Sequence, residues 1–538
     1  MSKGTIRNIS VGVSTSAMTL LCVLSAQARQ AEHAHPAASS VVALALAQRP
    51  VPIRSGIGSA HDGVSTASKP AQSFYDQGLA YLHSFVWLEA ARSFNQALRL
   101  DPTLAMAHLG LTIAYTELNA APAAHAAIDR AKALASTDHD RRHVAARALQ
   151  MAAEEAASDT AKLAAYRAAL DDALAAFPSD EEIWLQRGQA ESTDPAERGQ
   201  GSVAGSVQFY EHALTLAPAH FAAHHYLTHA YENSGRVQDA LTHGATYAKM
   251  APSVPHARHM DGHNLRRAGR IDEAITEFAA ADALETAYFA AEKIPVEYDW
   301  HYQHNLDLLA TSYQYIGQMR KAEALFRRSF AIASTLVVQE FNKREWPVFL
   351  LARGRTQEAL AAAGVLAAHQ SPVVSATGHV EAARARLAFE QFKEAADEGN
   401  TALRLMRGTE GAGIVADALQ AFQGEFLLRT GKADTGRPML EDVVRKARAR
   451  PGPDAWAQTL FTIEAIARAA REVGDWDFAA WAARQMLEHD PNYAGSHYAL
   501  ALVAEHRGDA QTARAERALT EKYWSRADPG LPELSPKR

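Results

Sequence analysis

Residues 77–102 read QGLAYLHSFVWLEAARSFNQALRLDP. Gly78 and Tyr81 fall on one face at helical spacing, and Ala90, Phe94 and Ala97 do the same further on. Gly78 and Ala90 are small enough to let two helices cross closely, Tyr81 and Phe94 are large enough to fill the seam, and Pro102 stops the second helix. The stretch therefore reads as a helical hairpin. A shift of 34 residues lands on Thr112, Tyr115, Ala124, Ile128 and Ala131, a second hairpin in phase with the first.

This period and these positions are those of the tetratricopeptide repeat. The phase recurs at Trp184 and Gly188, then at Tyr231, Gly235 and Ala240, then at Gly262, Gly269 and Ala274. Tyr313, Gly317 and Ala322 mark a further unit, followed by Gly354, Gly431, Gly474 and Gly508. Most of these glycines sit at the turn between helices, where a left-handed backbone costs them little. The expected fold is all-α, a right-handed superhelical solenoid of helix–turn–helix repeats. Each unit should contact only its neighbours, which lets 538 residues fold without one oversized core. Two local expectations follow: a Gly/Ser insertion at residues 199–205 should be an exposed loop, and Pro347, inside a first helix, should be tolerated because neighbouring repeats supply the packing.

Lys3 and Arg7 precede a mostly apolar Val11–Leu24 stretch, and Ala26-Gln27-Ala28 fits a signal cleavage site. The single cysteine, Cys22, lies inside that leader, so a mature chain would have no thiol. The expected organisation is a signal peptide over 1–28, a flexible linker over 29–70, repeats over 71–288 and 289–527, and a tail over 528–538. Export to the periplasm or beyond is the expected localisation, with no membrane span after cleavage. A net charge of −7 gives no basic footprint for nucleic acid.

Histidine is unevenly placed. Ten of the 24 lie between His220 and His304. In the repeat register, His225 and His229 take positions 5 and 9 of one first helix, and His259 and His263 take the same positions one period later. Residues four apart share a helix face, so the two pairs should converge. Glu232 and His304 fall on the same faces as further candidate ligands, with His256, Asn264 and Asn305 beside them lining the groove. Imidazoles and a carboxylate without thiolate suit zinc or another divalent ion. The same residues also read as a polar groove holding a peptide or protein segment. His220, His224 and His243 are expected to face solvent or a neighbouring repeat.

These elements, His225-Tyr226-Leu227-Thr228-His229-Ala230-Tyr231-Glu232, then His259-Met260-Asp261-Gly262-His263, then His304-Asn305, resemble an uncharacterised group of exported bacterial tetratricopeptide proteins. Asp261 departs from the proline usual there. The resemblance covers about the first half of the mature chain and implies that the groove residues matter; it implies no reaction.

No phosphate loop, dinucleotide fingerprint, nucleophile elbow or His-Glu-x-x-His element is present. Glu297, Asp299 and His301 could supply an acid or base, or simply form a charged connection between repeats. The sequence thus favours a non-enzymatic scaffold that binds a protein or peptide, with a metal-binding or metal-dependent protein as the alternative. N-terminal sequencing of protein from its native host should find a mature chain starting near Arg29; a retained Met1 would contradict the export reading.

Overall fold

The computed structural model describes residues 37–334, 336–409, 413–450 and 454–534. The leader at 1–28 lies outside them. Every regular element among the described residues is helical, and the helices pair into hairpins from Lys69–His83 with Trp87–Leu100 to Ala494–His506 with Ala510–Tyr523. The fold is the expected all-α tetratricopeptide solenoid. No helix among the described residues is long and apolar enough to cross a membrane.

Close approach of glycine to an aromatic ring sets the hairpin geometry. A Cβ on Gly78 would come within 2.6 Å of the Phe94 ring, and Gly110 of the next hairpin meets that ring too. Gly262 against Phe278 repeats the arrangement at 2.8 Å. At the turns, Gly235, Gly269, Gly317, Gly354, Gly431, Gly474 and Gly508 have φ between 71° and 79°. The first hairpin puts Phe85 there instead, at φ 59°, a conformation that costs a non-glycine residue about 1–3 kcal/mol.

Two hairpins carry weak sequence marks. Asp138–Glu154 with Thr160–Ala176 turns without glycine, and Pro372–Ala388 with Phe392–Met406 turns at Glu390, φ 59°. Pro347 does lie inside a helix and is tolerated there. It sits in the first turn of Glu345–Ala352, where its missing N–H has no intrahelical partner to lose.

The solenoid also makes contacts that neighbour-only stacking does not supply. In the N-terminal half, Arg92 is buried and pairs with Glu89 at 2.6 Å and with Glu292 at 2.9 Å. Tyr288 donates to Glu89 at 2.7 Å, and Trp300 Nε1 donates to the Phe85 carbonyl at 2.8 Å. The first hairpin is thereby fastened to the Ile271–Glu292 helix and the segment after it. That helix runs through the expected 288/289 division and ends at Lys293, whose φ of 53° caps it. In the C-terminal half, Tyr315 donates to Asp490 at 2.8 Å, and Trp524 Nε1 donates to the Tyr315 carbonyl at 2.8 Å. The segment after residue 527 docks as well: Asp528 N donates to the Gly317 carbonyl at 3.1 Å, and Glu533 pairs with Arg353 at 2.5 Å.

The segment expected to be a flexible linker is, from residue 37 on, part of this closure. A helix at Ala37–Ala47 is followed by an irregular strap that buries Val51, Ile57 and Ala60. Gln77 and Arg92 hold the strap's backbone through Pro52 O at 3.1 Å and Pro50 O at 2.6 Å. Alternating polar and small residues hide such a strap from a periodicity search. The 199–205 insertion is likewise not a free loop. Ser202 is buried and bonded to the Tyr210 hydroxyl at 2.7 Å, and Gly199 lies flat on Tyr226.

Trp524 tests the closure. Trp524→Ala should cost about 3–5 kcal/mol, read by urea unfolding, and should broaden or split the transition as the Tyr302–Tyr315 helix loses its distant partners. A change below 1 kcal/mol would mean that only neighbouring repeats matter.

Candidate metal centre

The first helices of three successive hairpins, Phe221–Asn233, Pro255–Arg267 and Tyr302–Tyr315, present their histidines to one another. His225 Nε2 lies 3.1 Å from His229 Nε2 and 3.1 Å from His256 Nε2. His259 and His263 are likewise one turn apart, with ring centres 4.3 Å apart, and His304 comes from the next hairpin's first helix, its ring centre 4.9 Å from that of His259. In each set of three, one nitrogen per ring lies within 4.8 Å of the others.

The four histidines expected to meet at one point therefore divide between two triads. The triads adjoin through His256 and His259, whose rings are 5.9 Å apart. Glu232 does not complete its own helix's pair; its Oε1 sits 3.6 Å from His263 Nδ1, on the edge of the second triad. His256 is a triad member and not a groove-lining residue. Asn264 lies outside the site, donating to the Ala240 and Met260 carbonyls as a helix-packing group.

Hydrogen bonds fix the ring states of two key members. His225 Nδ1 is 2.6 Å from the carbonyl of His83, which can only accept. His225 Nδ1 therefore carries the proton, and in the neutral ring Nε2 is a bare lone pair. Asn305 Nδ2 donates to the Phe278 carbonyl at 3.0 Å, which turns its Oδ1 toward His259 Nδ1 at 2.9 Å. His259 is thus fixed in the same tautomer, one repeat later. Asn305, expected in the groove, orients a ligand-type imidazole from behind.

Burial holds these rings neutral. His225 is 0% exposed and His259 1%. Burial, reinforced by neighbouring imidazoles, pushes His225, His256, His259 and His301 well below the usual histidine range. Burial brings His229 down to about 4, with Glu232 opposing. His301 bridges the two sets, 4.2 Å from His259 and 5.0 Å from His256. Its Nδ1 meets Glu285 Oε1 at 2.6 Å, and burial raises that carboxyl well above its usual range, with Asp299 and Asp282 adding to the effect. Glu285 carries no repeat-register signal, being on the far end of a second helix.

Phe85 closes the first triad. Its ring lies 4.6 Å from His225 and 5.2 Å from His256, so the strained turn delivers an apolar lid to the imidazoles. A cavity of about 590 Å³ opens beside it, lined by Phe85, Trp87, His256, Glu285, Trp300 and His301. A further cluster escaped the sequence reading. His83 and His220 both reach Glu182, at 2.9 Å and 3.1 Å, and all three are buried. His220 is therefore internal and not solvent-facing, whereas His224 and His243 meet each other at 2.9 Å between the helices of one hairpin.

No protein-family model matches the chain, and no curated protein matches it in sequence. Among solved structures, it is similar to YrrB, described as a tetratricopeptide protein with an unusual peptide-binding site (17% identity, TM-score 0.21), over 39% of this chain and 95% of that one. It is also similar to the apo quorum sensor NprR of B. thuringiensis (11%, TM-score 0.43), over 73% and 98%. Human IFIT1 with m7Gppp-AAAA (9%, TM-score 0.34) aligns over 94% and 95%.

The depressed imidazoles set a pH dependence for metal-free protein. These rings bind fewer protons in the folded state than in the unfolded chain, where histidines titrate near 6.5, so their contribution to stability is full above that value and falls toward pH 4. Thermal melts of chelated protein should lose midpoint from about pH 6.5 downward, and His229→Gln should flatten that loss. An unchanged midpoint between pH 7 and 5 would mean that the rings are solvated.

Proposed function

We propose that this protein is an exported tetratricopeptide protein that holds two transition-metal ions, one in each imidazole triad. The carrying observation is the pair of 3.1 Å nitrogen–nitrogen separations around His225 Nε2, with Nδ1 of the same ring committed to a backbone carbonyl. Zinc–nitrogen bonds of about 2.0–2.1 Å at tetrahedral angles put ligand nitrogens about 3.3 Å apart, close to what the first triad offers. The fixed His225 ring offers a lone pair at Nε2 that a cation can take, with His229 and His256 close enough to share it, and carbonyl or amide partners behind the ring are the usual support for a metal-binding imidazole. Imidazole-only sites suit zinc or copper over magnesium or calcium.

Three protein ligands leave a coordination position open, the arrangement of reactive and not purely structural sites. The neighbouring cavity would admit a small molecule to that region. A peptide or protein partner, the role first suggested by the fold, would have to dock elsewhere, because His256 and Asn305 are 4% and 0% exposed. Export would place the sites in a compartment where metal is supplied from outside.

Protein purified without an affinity tag should carry two ions in these triads. His225→Ala and His259→Ala should each remove about one. Added zinc or copper at a hundredfold excess over Kd should stabilise by about 2.7 kcal/mol per ion, read as a raised Tm. Metal-free protein that gains no Tm with either ion would contradict this reading and leave the cluster as a hydrogen-bonded core.

A further inference from the structure

A second kind of metal site lies away from the triads, where the strap meets the array. His139 and His143 are one turn apart on the Asp138–Glu154 helix. Both Nε2 atoms point at Asp180 Oδ2, at 2.9 Å and 3.0 Å. Asp62, carried by the strap, brings Oδ1 to 3.6 Å from His139 Nε2. Asp62, His139 and His143 offer ligand atoms within 4.8 Å of one another, and Asp180, from a third segment, adds a carboxylate oxygen against both imidazoles.

Each carboxylate is held from behind by its other oxygen. Asp62 Oδ2 accepts from the Tyr75 hydroxyl at 3.1 Å, and Asp180 Oδ1 accepts from the Ile183 amide at 3.1 Å, capping its helix. Asp140, pinned by Ser65 at 3.1 Å, stands 3.8 Å behind His139 Nδ1. Backing of a ligand by a second polar group, as at Asp62, Asp180 and His139, is how metal ligands are oriented. The cluster is only partly open: the side chains of His143 and Asp180 are 2% and 11% exposed, and that of His139 is 21%.

We propose that Asp62, His139, His143 and Asp180 bind a borderline divalent ion, zinc or a similar metal, and that this ion clasps the strap onto the array. Two imidazoles with two carboxylates form a ligand set distinct from the imidazole-only triads. The clasp stands independently of the triads, and its consequence is mechanical. The strap between Ala47 and Lys69 holds the first hairpin through Gln77 and Arg92, and the first hairpin carries Phe85. Metal at Asp62 therefore secures the far end of the segment that closes the triads.

Trypsin offers a direct reading. Between residues 30 and 91 the basic residues are Arg49, Arg54 and Lys69, and Pro50 and Pro70 block cutting after the first and last. Arg54–Ser55 is the single susceptible bond of the strap. Chelation of the full chain should speed cleavage there at least tenfold, and zinc should restore protection. In the His225→Ala/His259→Ala background, which lacks the triads, one zinc equivalent and the zinc protection should remain. Asp62→Asn and His139→Gln/His143→Gln should lose one equivalent and be cut as fast with zinc as without. Cleavage at Arg54 that is indifferent to chelator and zinc in the wild-type chain, or an unchanged zinc count in the His139→Gln/His143→Gln protein, would overturn the clasp and leave four groups joined by shared protons only.

Discussion

The N-terminal half turns on the contact of Phe85 with His225, His229 and His256. A hairpin turn that uses glycine in seven other hairpins here carries a phenylalanine in the left-handed region, at φ 59°. Its ring reaches three imidazoles on two other hairpins, within 6.0 Å of each, and its carbonyl receives the Trp300 indole at 2.8 Å. Strain at one backbone position thus offsets itself in a contact that closes the array and dries the triads. The buried Arg92, the strap and the Ile271–Glu292 helix then lock the same closure from the outer side.

Dryness dictates the chemistry. A buried imidazole is neutral because charging it without water or a carboxylate is costly. A neutral imidazole with Nδ1–H committed to a carbonyl or amide oxygen presents a lone pair at Nε2. The repeat places His225 and His259 in that state twice, one period apart, each with a second histidine one turn on and a third from a following hairpin. Tandem duplication of one helix–turn–helix is thereby a route to tandem sites. The carboxylate partners differ, since Glu182 serves His83 and His220 while Glu285 serves His301.

Much of this was legible in the residues, for reasons that particular positions make plain. The 34-residue phase of Gly78, Tyr81, Ala90 and Phe94 announces the hairpin because small-against-large packing is a local demand. The same phase put His225, His229, His259 and His263 on facing surfaces. It could not divide them into triads, because His256 and His304 enter from the starts of later helices and ring rotation decides which nitrogens meet. Long-range partners left no trace at all. Asp62 lies in a stretch that looked like linker, Asp180 looks like an ordinary helix cap, and Glu285 is one acid among many. Closure of the array was hidden too, since Tyr315 reaches Asp490 and Trp524 across many repeats.

The most direct test of the account is a crystal of metal-loaded protein, with diffraction recorded on both sides of the absorption edge of the bound metal. Besides any ion at the Asp62 clasp, the account predicts an anomalous peak in each triad, one within bonding distance of His225, His229 and His256 and the other of His259, His263 and His304. Rings turned away from one another, with no peak at either position, would contradict it.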